Sequence, residues 1–152
     1  MTSERDTAPC PVGNVLADNI RRIREGRRLT YVDLAALLAD AGRPIAVLGL
    51  RRIERRERRI DVDDLLALAY VLAVAPVDLL VPAAAADRDG YSVTHTTLTD
   101  AATAREWIGG AGFLTPPQSA AELSDLVRWM PKPRAQAAIT GWASTEREGA
   151  NL

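Results

Sequence analysis

The sequence predicts a mainly α protein: five short helices forming one compact domain over residues 14–82, followed by a small α+β appendage over residues 91–142. Three observations carry this prediction. Apolar residues recur three and four apart in short runs, the helical period, and the runs are separated by Gly26, Gly42, Pro44, Pro76 and Pro82. Side chains that cap helix starts stand ahead of those runs at Asn14, Thr30 and Asp61. Nearly half of the 152 residues are apolar but only 5% are aromatic, so the core is built from Leu, Ile, Val and Ala.

Residues 1–13 contain Pro9 and Pro11 and no periodicity, and read as a flexible arm. Asn14 is positioned to cap a first helix with Val15, Leu16, Ile20 and Ile23 on its inner side and Gly26 as a left-handed stop. Thr30 with Asp33 forms a capping-box pattern that opens a second helix, buried through Leu34, Ala35, Leu37 and Leu38 and ending near Gly42. Pro44 suits the first turn of a third helix, where the missing N–H costs nothing. Ile45, Leu50 and Ile53 of that helix face inward, and Val47, Leu48, Arg51, Arg52 and Arg55 face outward. Asp61 and Asp64 mark a fourth start, followed by an apolar face of Leu65, Leu66, Leu68, Ala69 and Leu72. Pro76 starts a fifth, short helix that Pro82 closes.

Residues 83–90 read as a linker. Tyr91 to Leu98, rich in Thr and Val, reads as a strand. Asp100 can cap a helix through Trp107 that stops at Gly109 and Gly110, and Ser119 with Glu122 opens another to about Met130, broken by Pro131 and Pro133. A weak last helix is expected at 134–142 and a flexible tail at 143–152.

Overall charge is near neutral, but its distribution is not. Between Ile20 and Ile60 there are twelve arginines against five acids, and seven arginines fall within residues 43–65 alone. A local cationic face on a near-neutral chain points to a polyanion partner. The lone Cys10 excludes an internal disulfide framework or a cysteine-based zinc site, and His95 is the only histidine, so no metal or cofactor is expected. No apolar run reaches membrane-spanning length, the first residues lack signal-peptide order, and a cytoplasmic, nucleoid-associated protein is expected. No Walker-type glycine loop, His-Glu-x-x-His or serine elbow is present, and Gly109-Gly110-Ala111-Gly112 is a helix stop, so the chain is not expected to be an enzyme.

Leu29-Thr30-Tyr31-Val32-Asp33-Leu34-Ala35, then Ile53-Glu54-Arg55, then Val62-x-x-Leu65-x-x-Leu68-Ala69-x-x-Leu72-x-Val74 with Leu79-Leu80, together resemble the XRE family of helix-turn-helix regulators, the lambda repressor and Cro group. The resemblance covers about residues 14–82. It departs from the family at Tyr31, where a glutamine is usual, and at Arg56, where a glycine usually follows Ile-Glu-Arg. A further departure is about five extra residues around Ala39 to Pro44. Arg56 therefore either adopts the left-handed conformation or the third helix runs on.

The resemblance implies a sequence-specific double-stranded DNA-binding regulator, a repressor acting by promoter occlusion, of the kind found in phage immunity. Base-reading candidates are Val47, Leu48, Arg51, Arg52 and Arg55, because a guanidinium can donate twice to guanine and an aliphatic group can meet a thymine methyl. Phosphate-holding candidates are Arg28, Thr30, Tyr31, Arg43, Arg56 and Arg58. Glu54 is expected to brace the domain against Arg22 or Arg24. The C-terminal region would supply a homodimer contact or a second DNA-contacting module, with Trp129 and Met130 as the candidate self-association surface. The alternative is an antitoxin or adaptor whose C-terminal helices bind a partner protein, with DNA contact secondary.

Overall fold

A computed structural model of the chain describes residues 11–83, 90–94 and 96–149, with side chains from 12 to 143 of these. Cys10 and His95 lie outside the described residues, as do most of the N-terminal arm, residues 84–89 of the linker and residues 150–152. The described residues form eight helices and one two-stranded antiparallel sheet, a mainly helical chain as the periodicity predicts. They divide into two compact units, the first running through Ala101 and the second starting at Ala102.

The first unit begins with α1 (Pro11–Gly26), α2 (Tyr31–Asp40), α3 (Val47–Glu54), α4 (Val62–Val71) and α5 (Pro76–Leu80). Its core is a single cluster of Leu16, Ile20, Leu34, Leu38, Ile45, Leu50, Ile53, Leu68, Ala69, Leu72 and Leu79. Two inner-face expectations and one cap are corrected. Leu37 and Leu66 are exposed, and Asn14 lies inside α1 rather than capping it, since Pro11 opens the helix a turn earlier. α3 starts at Val47, not at Pro44, which stays in the connection that also carries Arg43 and Ile45.

The first four helices end alike. Arg28, Gly42, Arg56 and Ala73 all have positive φ. After α1, the Leu29 N–H donates to the Arg24 carbonyl at 3.0 Å and the Arg28 N–H to the Glu25 carbonyl at 2.9 Å, the paired bonds of a Schellman stop. The same pairing recurs with Arg43 to Leu38 and Gly42 to Ala39, with Glu57 to Arg52 and Arg56 to Ile53, and with Val74 to Ala69 and Ala73 to Tyr70. Only one of the four stops uses glycine. The expected left-handed Gly26 is a helical residue, and Arg28 takes that conformation instead.

Asn19, buried on α1, donates from Nδ2 to the carbonyls of Leu79 at 3.1 Å and Val81 at 2.8 Å, tying the end of α5 to the first helix. The single strand expected at 91–98 is a hairpin of β1 (Tyr91–Ser92) and β2 (Leu98–Thr99), with Tyr91 opposite Thr99. The chain reverses because the Thr94 hydroxyl accepts from the backbone N–H of Thr96 and Thr97, a local bond that competes with a continued strand. Tyr91 is buried and its hydroxyl donates to the Leu80 carbonyl at 2.6 Å. This hook places the hairpin in the first unit, so the compact boundary falls after Ala101 instead of at 83–90.

The second unit contains most of α6 (Ala101–Gly109), then α7 (Ala120–Val127) and α8 (Lys132–Gly149), with α7 packed on α8. Gly110, with φ of 82°, stops α6. Ser119 accepts from the Glu122 N–H as expected, but the Glu122 carboxylate returns to the Gln118 N–H rather than to Ser119. α8 extends through residues predicted to be a short helix and a loose tail. Pro133 does not break it, because a proline in the first turn removes no intrahelical bond.

Candidate nucleic-acid interface

α3 is an eight-residue helix, about 12 Å long at 1.5 Å per residue, comparable to the width of the DNA major groove. Leu50, Ile53 and Glu54 are buried on one side. Leu48, Arg51, Arg52 and Arg55, spaced three and four apart, are exposed on the other, with Val47 half-buried at the edge. Four of the five base-reading candidates are exposed as expected, Arg55 as the residue that caps the end of α3, and Val47 is half-buried. Arg52 and Arg55 have no side-chain hydrogen bond or ion pair among the described residues, and Arg51 touches only a ring.

The support beneath this stripe is a buried polar cluster. Arg24 on α1 grips Glu54 with Nε on Oε1 at 2.7 Å and Nη2 on Oε2 at 2.9 Å, and both side chains are more than nine-tenths buried. Its third nitrogen, Nη1, donates to the Leu29 carbonyl at 3.0 Å. Glu54 is thus braced by Arg24 and not by Arg22, whose guanidinium turns to Asn19. The hydrogen bond to Glu54 holds the Arg24 guanidinium above its ordinary pKa, against the opposing cost of burial.

Tyr31, at the start of α2, is corrected from a phosphate candidate to part of this cluster. Its hydroxyl donates to Glu54 Oε2 at 2.8 Å, so the phenol points inward. Burial first, and then the bond to the Glu54 carboxylate, raise its pKa above 10.0. The Arg24 guanidinium lies over its ring at 4.2 Å and that of Arg51 at 5.4 Å, both within cation–π range.

Four other phosphate candidates are also engaged. Arg43 donates to Asp64 Oδ1 and to Asp61 Oδ2, each at 2.8 Å, which pins the α2–α3 connection to the start of α4. Arg58 donates to the other Asp64 oxygen at 2.8 Å and crosses α3 at Gly49, where a Cβ would stand 2.8 Å from its Nη1. A side chain at position 49 would therefore have to displace the Arg58 guanidinium from its present path. Arg56 adopts the left-handed alternative, ending α3, and pairs with Asp18 at 2.7 Å. The Thr30 hydroxyl both accepts from the Asp33 N–H and donates to the Asp33 carboxylate at 2.7 Å. The hydroxyl and then the backbone N–H of Thr30, both donating to the carboxylate, hold Asp33 below the ordinary carboxylate pKa. Of the six phosphate candidates, Arg28 alone has an exposed side chain with no partner among the described residues.

No family model, curated protein or solved structure matches this chain. Its own geometry therefore carries the functional reading. Among the described residues there is no group of His, Cys, Asp or Glu placed to hold a metal ion, and no helix long and apolar enough to cross a membrane.

The sequence reading missed Asp18 and Asp64 as arginine partners. The available signal for Asp64 is its place beside an arginine-rich segment, where a carboxylate is a ready partner; its burial appears only in the fold. Asp18 and Arg56 are 38 residues apart, and nothing local connects them.

Proposed function

We propose that α1 to α5 form a lambda-repressor-like helix-turn-helix domain, with α2 as the bracing helix and α3 as the helix that enters the major groove. The protein is then a sequence-specific double-stranded DNA-binding regulator that represses transcription by occluding a promoter. One observation carries this reading: the exposed stripe Leu48, Arg51, Arg52 and Arg55 on a short helix whose opposite side is fixed in the core. Guanidinium groups without acidic partners can reach base edges and phosphates, and Leu48 offers an aliphatic contact for a thymine methyl. Arg28 supplies a backbone contact beside the start of α2. The second unit supplies a homodimer contact or a further DNA-contacting module.

The antitoxin or adaptor reading has one favouring observation. Trp129 is 86% exposed in the second unit, and Leu126, Trp107 and Ile139 are also at the surface, as a partner-binding region would require.

Selection from random duplexes tests both readings, using the intact chain and a truncation ending after Ala101, which retains the Tyr91 hook and the hairpin. Enrichment of a two-fold motif by the intact chain and of a half-site by the truncation is the expected result. Enrichment of nothing above background by either protein overturns the DNA-binding reading. Arg28→Ala should weaken every duplex and flatten the salt dependence, whereas Arg52→Ala or Arg55→Ala can be sorted into base-reading or phosphate-holding by the same measurement.

A further inference from the structure

Resting on that reading, we propose that Tyr31 is a platform that orients Arg51, making Arg51 the guanine-reading residue of α3. Three outward arginines compete for that role, and they differ in what holds them. Arg52 and Arg55 have no side-chain contact of these kinds among the described residues, so each is free to sample many rotamers. Arg51 lies over the Tyr31 ring at 5.4 Å. A planar guanidinium over an aromatic ring keeps its in-plane N–H donors available while its rotamer freedom falls. A bidentate contact to guanine O6 and N7 needs that planar fork at one orientation, so the arginine ordered before binding loses least on binding.

The platform is itself held. The Tyr31 hydroxyl is tied to Glu54 Oε2 at 2.8 Å, Glu54 is gripped twice by Arg24, and the Arg24 guanidinium also lies over the ring at 4.2 Å. The ring cannot swing away without breaking a partly buried hydrogen bond and leaving the Arg24 guanidinium. Tyr31 is thus a positioning residue: its polar end faces the core cluster, and its ring acts through Arg51. Arg52 and Arg55 take the roles that tolerate freedom, holding phosphates by charge.

The test is duplex selection with the full chain carrying Tyr31→Leu, Tyr31→Phe, Arg51→Ala or Arg52→Ala. The wild type should enrich a motif containing one G·C pair that Arg51→Ala no longer prefers. Tyr31→Leu should lower preference for that same pair by about tenfold, at the low end of one bidentate contact, with the salt slope unchanged because no charge is lost. Tyr31→Phe keeps the ring and the Arg24 guanidinium over it and should retain most of the preference, although both Tyr31 variants lose the bond to Glu54. That contrast separates positioning from a general loss of stability.

Retention of full preference by Tyr31→Leu, equal loss in Tyr31→Phe, or loss of the pair on Arg52→Ala in place of Arg51→Ala overturns the proposal while leaving DNA binding intact. No motif from the wild type overturns the functional reading and the proposal together. Should Tyr31→Leu not fold, the NMR spectrum of the DNA-free wild type decides. Upfield ring-current shifts of the Arg51 side-chain protons, absent from those of Arg52 and Arg55, are expected, and their absence removes the platform.

Discussion

Replacing Glu54 with alanine removes the acceptor of three hydrogen bonds: Arg24 Nε at 2.7 Å, Arg24 Nη2 at 2.9 Å and the Tyr31 hydroxyl at 2.8 Å. With only 9% of the Arg24 side chain exposed, its charge would remain in the interior with only the half-exposed Glu25 carboxylate, 3.4 Å from Nη2, as a counter-ion. Breaking a buried pair from one side costs about 3–5 kcal/mol, a large part of the roughly 5–15 kcal/mol that stabilises a domain. The opened population of the first unit should therefore rise by about two to four orders of magnitude.

The probe matters. Trp107, Trp129 and Trp142 all lie beyond Ala101, so tryptophan fluorescence reports on the second unit. Amide hydrogen exchange in α1 and α3 reads the first. A combined Arg24→Met, Tyr31→Phe, Glu54→Leu variant should recover to within about 1–2 kcal/mol of wild type, because a packed apolar replacement of a buried ion pair is often near neutral. The residual loss reflects the Leu29 carbonyl, which accepts from Arg24 Nη1 and would lose that donor. A Glu54→Ala penalty below about 1 kcal/mol would refute the reasoning, since it would mean that Arg24 escapes to water without disturbing α1 or α3.

Ala73→Gly should stabilise the first unit by about 1 kcal/mol, seen as slower exchange in α4, because Ala73 holds a φ of 44° that glycine adopts without a Cβ penalty. Arg56→Gly should gain less, since it also loses the pair with Asp18. Asp64→Asn should cost about 2 kcal/mol in chemical denaturation followed by exchange: it weakens the bonds from both Arg43 and Arg58 to a buried carboxylate, discounted for the partial exposure of the arginines. Asp33, held below its ordinary pKa of 3.8 by Thr30, should contribute stability that is complete above that pH and lost as pH falls through its lower folded value. In an acid titration followed by helical circular dichroism, Asp33→Asn should lack that step. Tyr31 is shifted the other way, above 10.0, so its contribution is complete below pH 10.0 and is lost as pH rises toward the folded value. The Tyr31→Phe difference in the alkaline absorbance titration measures it.

The helices were legible because each is specified locally. Thr30 with Asp33 and Asp61 with Asp64 cap the helices that follow them, and Leu34, Leu38, Leu50, Ile53, Leu68 and Leu72 are buried as their spacing predicts. Periodicity finds a face but not its width. Leu66 continues the apolar run of α4 yet is 52% exposed, alongside Val62 and Tyr70, because no other helix of the first unit covers that side among the described residues. Helix ends were less legible. Glycine is the usual left-handed stop, and here Arg28, Arg56 and Ala73 take that conformation, held by backbone bonds that no single residue announces. Arginine roles were the least legible, since Arg43, Arg56 and Arg58 look like Arg51, Arg52 and Arg55 in sequence and differ only in whether an aspartate reaches them.

By itself the sequence determined the mainly helical class, the order and approximate extent of the helices, most of the core and the outward stripe of α3. These follow from side-chain periodicity and local capping, which act within a few residues. Only the tertiary structure decided which cations are neutralised, where the first compact unit ends, and that Tyr31 faces Glu54. Those outcomes depend on pairs far apart in the chain, Arg24 with Glu54, Arg56 with Asp18, Arg43 with Asp64 and Tyr91 with Leu80. Hydrogen bonds and ion pairs need contact at about 3 Å, and contact between distant residues exists only after the chain has folded.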